Sequence, residues 1–110
     1  MIFDQDGNIT IITQEKLSVV ALAKKLSDSY DKFKHNNVIV NLTTLDKISL
    51  TELIEFLLVS NKHRAAKHSF VIVTDKVDFD TVPDELVVVP TIHEAYDIID
   101  MEEIERDLGF

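Results

Sequence analysis

Apolar and polar positions follow two different rhythms along this chain, and each predicts one kind of element. From Leu17 to about Phe33, the residues Val19, Leu22, Ala23, Leu26, Tyr30 and Phe33 recur at three- and four-residue steps, while Lys24, Lys25, Asp28 and Asp31 fill the other side. That is an amphipathic helix. The runs VIVNL from Val38, SFVIVT from Ser69 and LVVV from Leu86 are short and rich in β-branched residues. They predict strands, and their near-continuous apolar character suits strands covered on both faces, as in parallel sheets. Between the first two, Leu50 to about Ala66 reads as a second long helix. A last helix starts after Pro90, with Thr91 at its N-cap and Glu94 three residues on as a capping box, and Ala95, Tyr96, Ile98, Ile99 and Ile104 continue it. The polar stretch DKVDFDTVPDE leaves room for one or two helical turns before Pro83. At the start, MIFDQ and NITII flank Asp6-Gly7, a pair that favours a hairpin with a type I′ turn.

A hairpin followed by alternating strands and helices predicts an α/β domain with a mixed sheet covered by helices, since parallel neighbours need crossover connections. No repeat, linker or low-complexity segment interrupts the chain, so residues 1–110 read as a single domain. Residues 100–110 form its charged helical tail, where Ile104 and Leu108, four apart, make a docking stripe.

Composition narrows the function. A chain of 110 residues that is 45% hydrophobic can bury a core without staples. With no cysteine there is no disulfide framework and no thiolate chemistry, which favours a reducing cytoplasm. No basic segment leads into an apolar run at the N-terminus, and no window approaches a membrane span, so neither export nor membrane insertion is expected. The formal charge of −9 opposes nucleic-acid binding and favours a partner with a basic surface.

Catalytic and metal signatures are weak. His63 and His68 are five apart, which on a helix puts them on different faces, while His35 and His93 belong to distant elements. No zinc-like pair follows. The acidic run Asp75, Asp78, Asp80, Asp84 and Glu85 lacks the spacing and central glycine of a calcium loop. Only two glycines are present, too few for a phosphate cradle or a nucleophile elbow. The expectation is a non-enzymatic protein with no metal and no cofactor. A small-molecule site at the carboxyl ends of the parallel strands, near Asn41, Thr74 and Asp75, is the alternative that an open α/β sheet offers.

The informative place is the join between the first parallel strand and the helix that follows it. Ser49 followed by Glu52, just ahead of Leu53, Ile54, Phe56, Leu57 and Leu58, is a capping box worth roughly 1 kcal/mol. Thr51 is not needed for the cap. At about the second helical position its hydroxyl points outward beside unpaired amides, where a phosphate would be favoured by the helix dipole.

The stretch VIVNLTTLDKISLTELIEFLL, together with SFVIVT and LVVVPTIHEAYDII, resembles the STAS domain, the family of bacterial anti-sigma-factor antagonists. The resemblance covers almost the whole chain. In the family, a strand leads to a D-S-S-G-L stretch that opens a helix, and the second serine is phosphorylated by an anti-sigma kinase. Here Ser49 stands for the aspartate, Leu50 for the first serine, Thr51 for the phosphorylated serine and Glu52 for the glycine. The ending MEEIERDLGF is similar to that of short STAS-like proteins of Bacteroidota. The resemblance implies a STAS-like α/β domain that binds a regulatory protein, such as an anti-sigma factor or serine kinase, through Ser49, Leu50, Thr51, Glu52 and Ile54. It implies Thr51 as the phosphoacceptor of a phospho-regulated antagonist. An unpaired hairpin edge leaves homodimerisation open.

Overall fold

The computed structural model describes residues 2–15 and 18–109. Strands β1 (Ile2–Asp6) and β2 (Ile9–Thr13) form the expected antiparallel hairpin, with Asp6 opposite Ile9 and Gly7-Asn8 between them. The turn differs from the type I′ expectation. Gly7 lies at φ +59, but Lys67 is the only non-glycine with positive φ among the described residues, so Asn8 is not left-handed. One positive φ at the first central position is the pattern of a type II′ turn, in which glycine occupies that first position.

The remaining strands, β3 (Asn37–Asn41), β4 (Phe70–Val73) and β5 (Val87–Val89), extend the sheet in parallel from β2, giving the order β1-β2-β3-β4-β5. Alternation along each strand divides its residues between two layers. Val38, Val40, Phe70 and Ile72 face α1 (Val19–Asp28), α2 (Leu50–Ile54) and α3 (Leu57–Ala65), packing with Leu22, Leu26, Leu53, Phe56 and Val59. Ile39, Val71, Val73 and Val89 face α4 (Ile92–Asp107) and pack on Ala95 and Ile99. β3 and β4 are thus covered on both faces, as their apolar runs require.

Two helices depart from the sequence pattern. The first does not run to Phe33: it ends at Asp28, and a single 3₁₀ turn at Tyr30–Lys32 carries Tyr30 and Phe33 into the core. Leu17, the predicted first residue, lies outside the described residues; Ser18 caps the helix by accepting from the Ala21 amide. The second helix is broken into α2 and α3 without proline or glycine. The Glu55 and Phe56 amides donate three residues back, to Glu52 and Leu53 at 3.2 Å each, before α-type bonding resumes from Ser60 to Phe56. A tightened turn brings side chains three apart into line. Leu53 and Phe56 are both fully buried, each contributing roughly 1.5–3 kcal/mol of apolar burial. At the head of α4 the capping box is half made: the Thr91 hydroxyl accepts from the Glu94 amide at 3.2 Å.

Candidate interaction surface

The loop after β3 delivers Ile48 into the core and releases the chain at Ser49, which is extended at φ −89, ψ 159. There the full capping box forms. The Ser49 hydroxyl accepts from the Glu52 amide at 3.1 Å, and the Glu52 carboxylate accepts from the Ser49 amide at 3.0 Å and from its hydroxyl at 3.1 Å. These bonds satisfy first-turn donors that would otherwise need water. They also occupy Ser49 and Glu52. Leu53, fully buried, pins the turn to the sheet.

The rest of α2 points outward. Leu50 and Ile54 are 38% and 40% exposed, Thr51 and Ser49 are exposed, and Glu52 is partly so. Leu50 and Ile54, four apart, share a face of the helix. The apolar run from Leu53 to Leu58 is therefore not uniformly a core face as its composition suggests: Ile54 and, above all, Leu58, at 78% exposure, remain in solvent.

Ile54, Leu57 and Leu58 form one wall of a groove of about 530 Å³, with Glu55 at its rim. Val20, Ala23, Lys24 and Ser27 of α1 form the other wall, and Val20 is half exposed. A smaller recess of about 100 Å³, lined by Ser27, Tyr30, Leu58, Val59 and Lys62, lies beside it. Val20 and Leu58 are the residues that sequence reasoning missed. Their only signal was a second apolar neighbour beside a position already assigned to the core.

The other candidates end up elsewhere. His63 and His68 do not diverge as their spacing implied, but stack with ring centroids 5.2 Å apart. The reason is the end of α3. Lys67 adopts φ +70, its amide donates to Arg64, and the His68 amide donates back to His63. This is a Schellman ending, which brings the residue after the left-handed one against the last full turn. His35, expected to be remote, shares a polar cavity of about 290 Å³ with Lys67, His68 and Arg106. Burial holds His68 below the usual histidine range, and the neighbouring Arg106 guanidinium and His35 ring add to the effect. Among the described residues no group of three or more His, Cys, Asp or Glu converges as metal ligands would.

At the carboxyl ends of the strands, each polar group is engaged by its own loop. Asn41 Oδ1 accepts from the Thr43 amide and hydroxyl, buried Thr74 Oγ1 accepts from the Lys76 amide, and Asp75 pairs with Lys76 at 3.4 Å. In the acidic loop, Asp78 caps the short turn at Phe79–Thr81 by accepting from the Asp80 amide. Among the described residues no helix is long and apolar enough to cross a membrane.

With sheet order, layers and the capped helix established, the architecture can be set beside solved structures. It is similar to the NMR structure of the protein TM1081, with a TM-score of 0.65 and 16% identity over 89% of this chain and 86% of that one. It is also similar to a serine-to-glutamate variant of RsbS from Moorella thermoacetica, with a TM-score of 0.63 and 9% identity over 91% of this chain and 94% of that one. The fold is STAS-like: one α/β domain with a five-stranded mixed sheet between packed helices. No family model and no curated protein sequence matches the chain.

Proposed function

We propose that this chain is a non-enzymatic regulatory domain that acts in the cytoplasm by binding a protein partner at the pole where α2 begins. The carrying observation is the exposed stripe Leu50, Ile54 and Leu58, which runs beside the α1 groove while Ser49 and Glu52 lock the helix start in place. Exposed apolar residues grouped beside a groove mark interaction sites far more often than scattered ones do. Likeness to the fold of RsbS, an anti-sigma-factor antagonist, supports a partner of the anti-sigma class. In this reading Leu50, Ile54 and Leu58 supply apolar contact, and Ser49, Thr51 and Glu52 form the polar rim.

Affinity capture of the native protein followed by mass spectrometry tests the reading. A partner recovered by the native chain and lost from the Leu50→Asp, Ile54→Asp double variant, with far-UV circular dichroism unchanged, supports it. Equal recovery by both proteins removes this surface.

Phosphorylation at Thr51 is a second reading, favoured by one observation. Of the two hydroxyls at this pole, that of Ser49 is held in the cap, whereas Thr51 stands exposed one position before Glu52. A phosphate there adds roughly −1.5 to −2 charges beside the Glu52 carboxylate and changes the charge that a partner meets at this pole. Intact-mass spectra that show no phosphorylated fraction in any growth phase, with Thr51→Glu binding like the native chain, would overturn it.

A further inference from the structure

On the opposite side of the sheet, α4 carries a second apolar feature that the α2 pole does not explain. Its inner side is fixed by Ala95 and Ile99, both fully buried. Its outer side shows Met101, Ile104 and Leu108, which are 50%, 61% and 68% exposed. They follow the three-then-four spacing of a helix-pairing seam, diametrically opposite the buried residues.

The polar residues around this seam are sorted by direction. Those turned toward the sheet are engaged: Glu102 pairs with Arg64 at 3.1 Å, Glu103 accepts from Asn8 and Asn37, and Arg106 donates to Ser69 and Asn37. The arginine of the last turns is thereby drawn inward. What remains exposed along the helix is acidic: Glu94, Asp97, Asp100, Glu105 and Asp107, with His93 3.6 Å from Asp97. The outer face is an apolar seam in a field of carboxylates.

We propose that this face is a second docking surface, and that its occupant is an amphipathic helix of a partner protein whose own apolar seam is flanked by Lys and Arg. Charge selects that occupant. A second copy would bring the same carboxylates together without compensation, in a chain whose formal charge is already −9. A basic helix pairs with them instead and covers Met101, Ile104 and Leu108. Because α4 and the α1 groove lie on opposite faces of the sheet, both surfaces can be occupied at once. The domain then bridges two proteins.

Two synthetic helical peptides with the same leucine seam, one flanked by Lys and Arg and the other by Glu, test this against the isotope-labelled full chain by NMR titration. The expected result is binding of the basic peptide alone, with shifts confined to residues 94–108 and affinity falling steeply as salt is raised about tenfold. Ile104→Asp, at an exposed position that leaves the fold intact, weakens binding by about tenfold or more. Equal binding of the two peptides, shifts mapping to α2 instead, no binding, or a native dimer that Ile104→Asp dissociates would each overturn the proposal. Shifts at residues 94–108 report on α4 whether or not the α2 pole binds its own partner, so failure of one reading is distinguishable from failure of the other.

Discussion

The Tyr30 hydroxyl donates to Nδ1 of His63 across 2.9 Å of core. The direction follows from the other ring nitrogen: Nε2 lies 2.7 Å from the Asn36 carbonyl oxygen, which can only accept, so Nε2 carries the proton and Nδ1 is left as an acceptor. One imidazole thus ties the 3₁₀ turn after α1, the loop before β3 and α3 together. Tyr30 and Phe33 meet its ring edge-on, at centroid distances of 5.5 and 6.1 Å. Tyr30→Phe keeps the packing and leaves Nδ1 without its donor, so a loss of about 1–3 kcal/mol in urea unfolding is expected. An unchanged midpoint would show that the bond contributes nothing net.

Protonating that ring works against the fold. Burial pushes His63 down to about 4; the Asn36 carbonyl opposes the shift, and the charges of His68 and Arg64 add to it. The unfolded chain takes up its proton near 6.5, so this contribution to stability is full above that pH. It declines as pH falls from 6.5 toward 4 and levels off below, with a total of roughly 3 kcal/mol. Nuclear magnetic resonance of the ring nitrogens should show a neutral Nε2–H tautomer at pH 5 to 6, and a midpoint near 6.5 would contradict the buried network.

Lys67 occupies a left-handed conformation, φ +70, where a side chain costs roughly 1–2 kcal/mol. Lys67→Gly removes that strain at some cost in unfolded-state freedom, and a net gain of about 0.5–1 kcal/mol in thermal or urea unfolding is expected. Destabilisation instead would mean that the lysine side chain contributes contacts outweighing the strain.

At the α2 pole, stability and binding should separate. Ser49→Ala removes the cap and costs about 1 kcal/mol. Leu58→Asp, at a position 78% exposed, should change stability by less than about 0.5 kcal/mol while weakening the captured partner. If Leu58→Asp instead unfolds the chain, the exposed stripe is a structural element and the proposed surface fails.

Much of the fold was legible because local chemistry wrote it twice. The β-branched runs of β3 and β4 both favour strands and fill two apolar layers by alternation, and Ser49 with Glu52 signals a helix start whose capping box forms in full. What escaped was whatever depended on phase or on distant segments. Leu53 and Phe56 face the core while Ile54 and Leu58 face solvent, and no composition rule distinguishes four apolar residues in one run.

The same division holds for the site. Residue types and spacing by themselves determined that Thr51 and Leu50 sit at the first turn of a helix following a buried strand, because capping is a local hydrogen-bond problem with a local solution. Only the tertiary structure decided that Val20 of α1 stands across a groove from Leu58, that His63 stacks on His68, and that Arg106 turns inward so that the outer face of α4 is left acidic. Those relationships come from crossovers that bring together residues far apart along the chain, and at His63 and His68 from a left-handed helix ending, and side-chain periodicity carries no information about either.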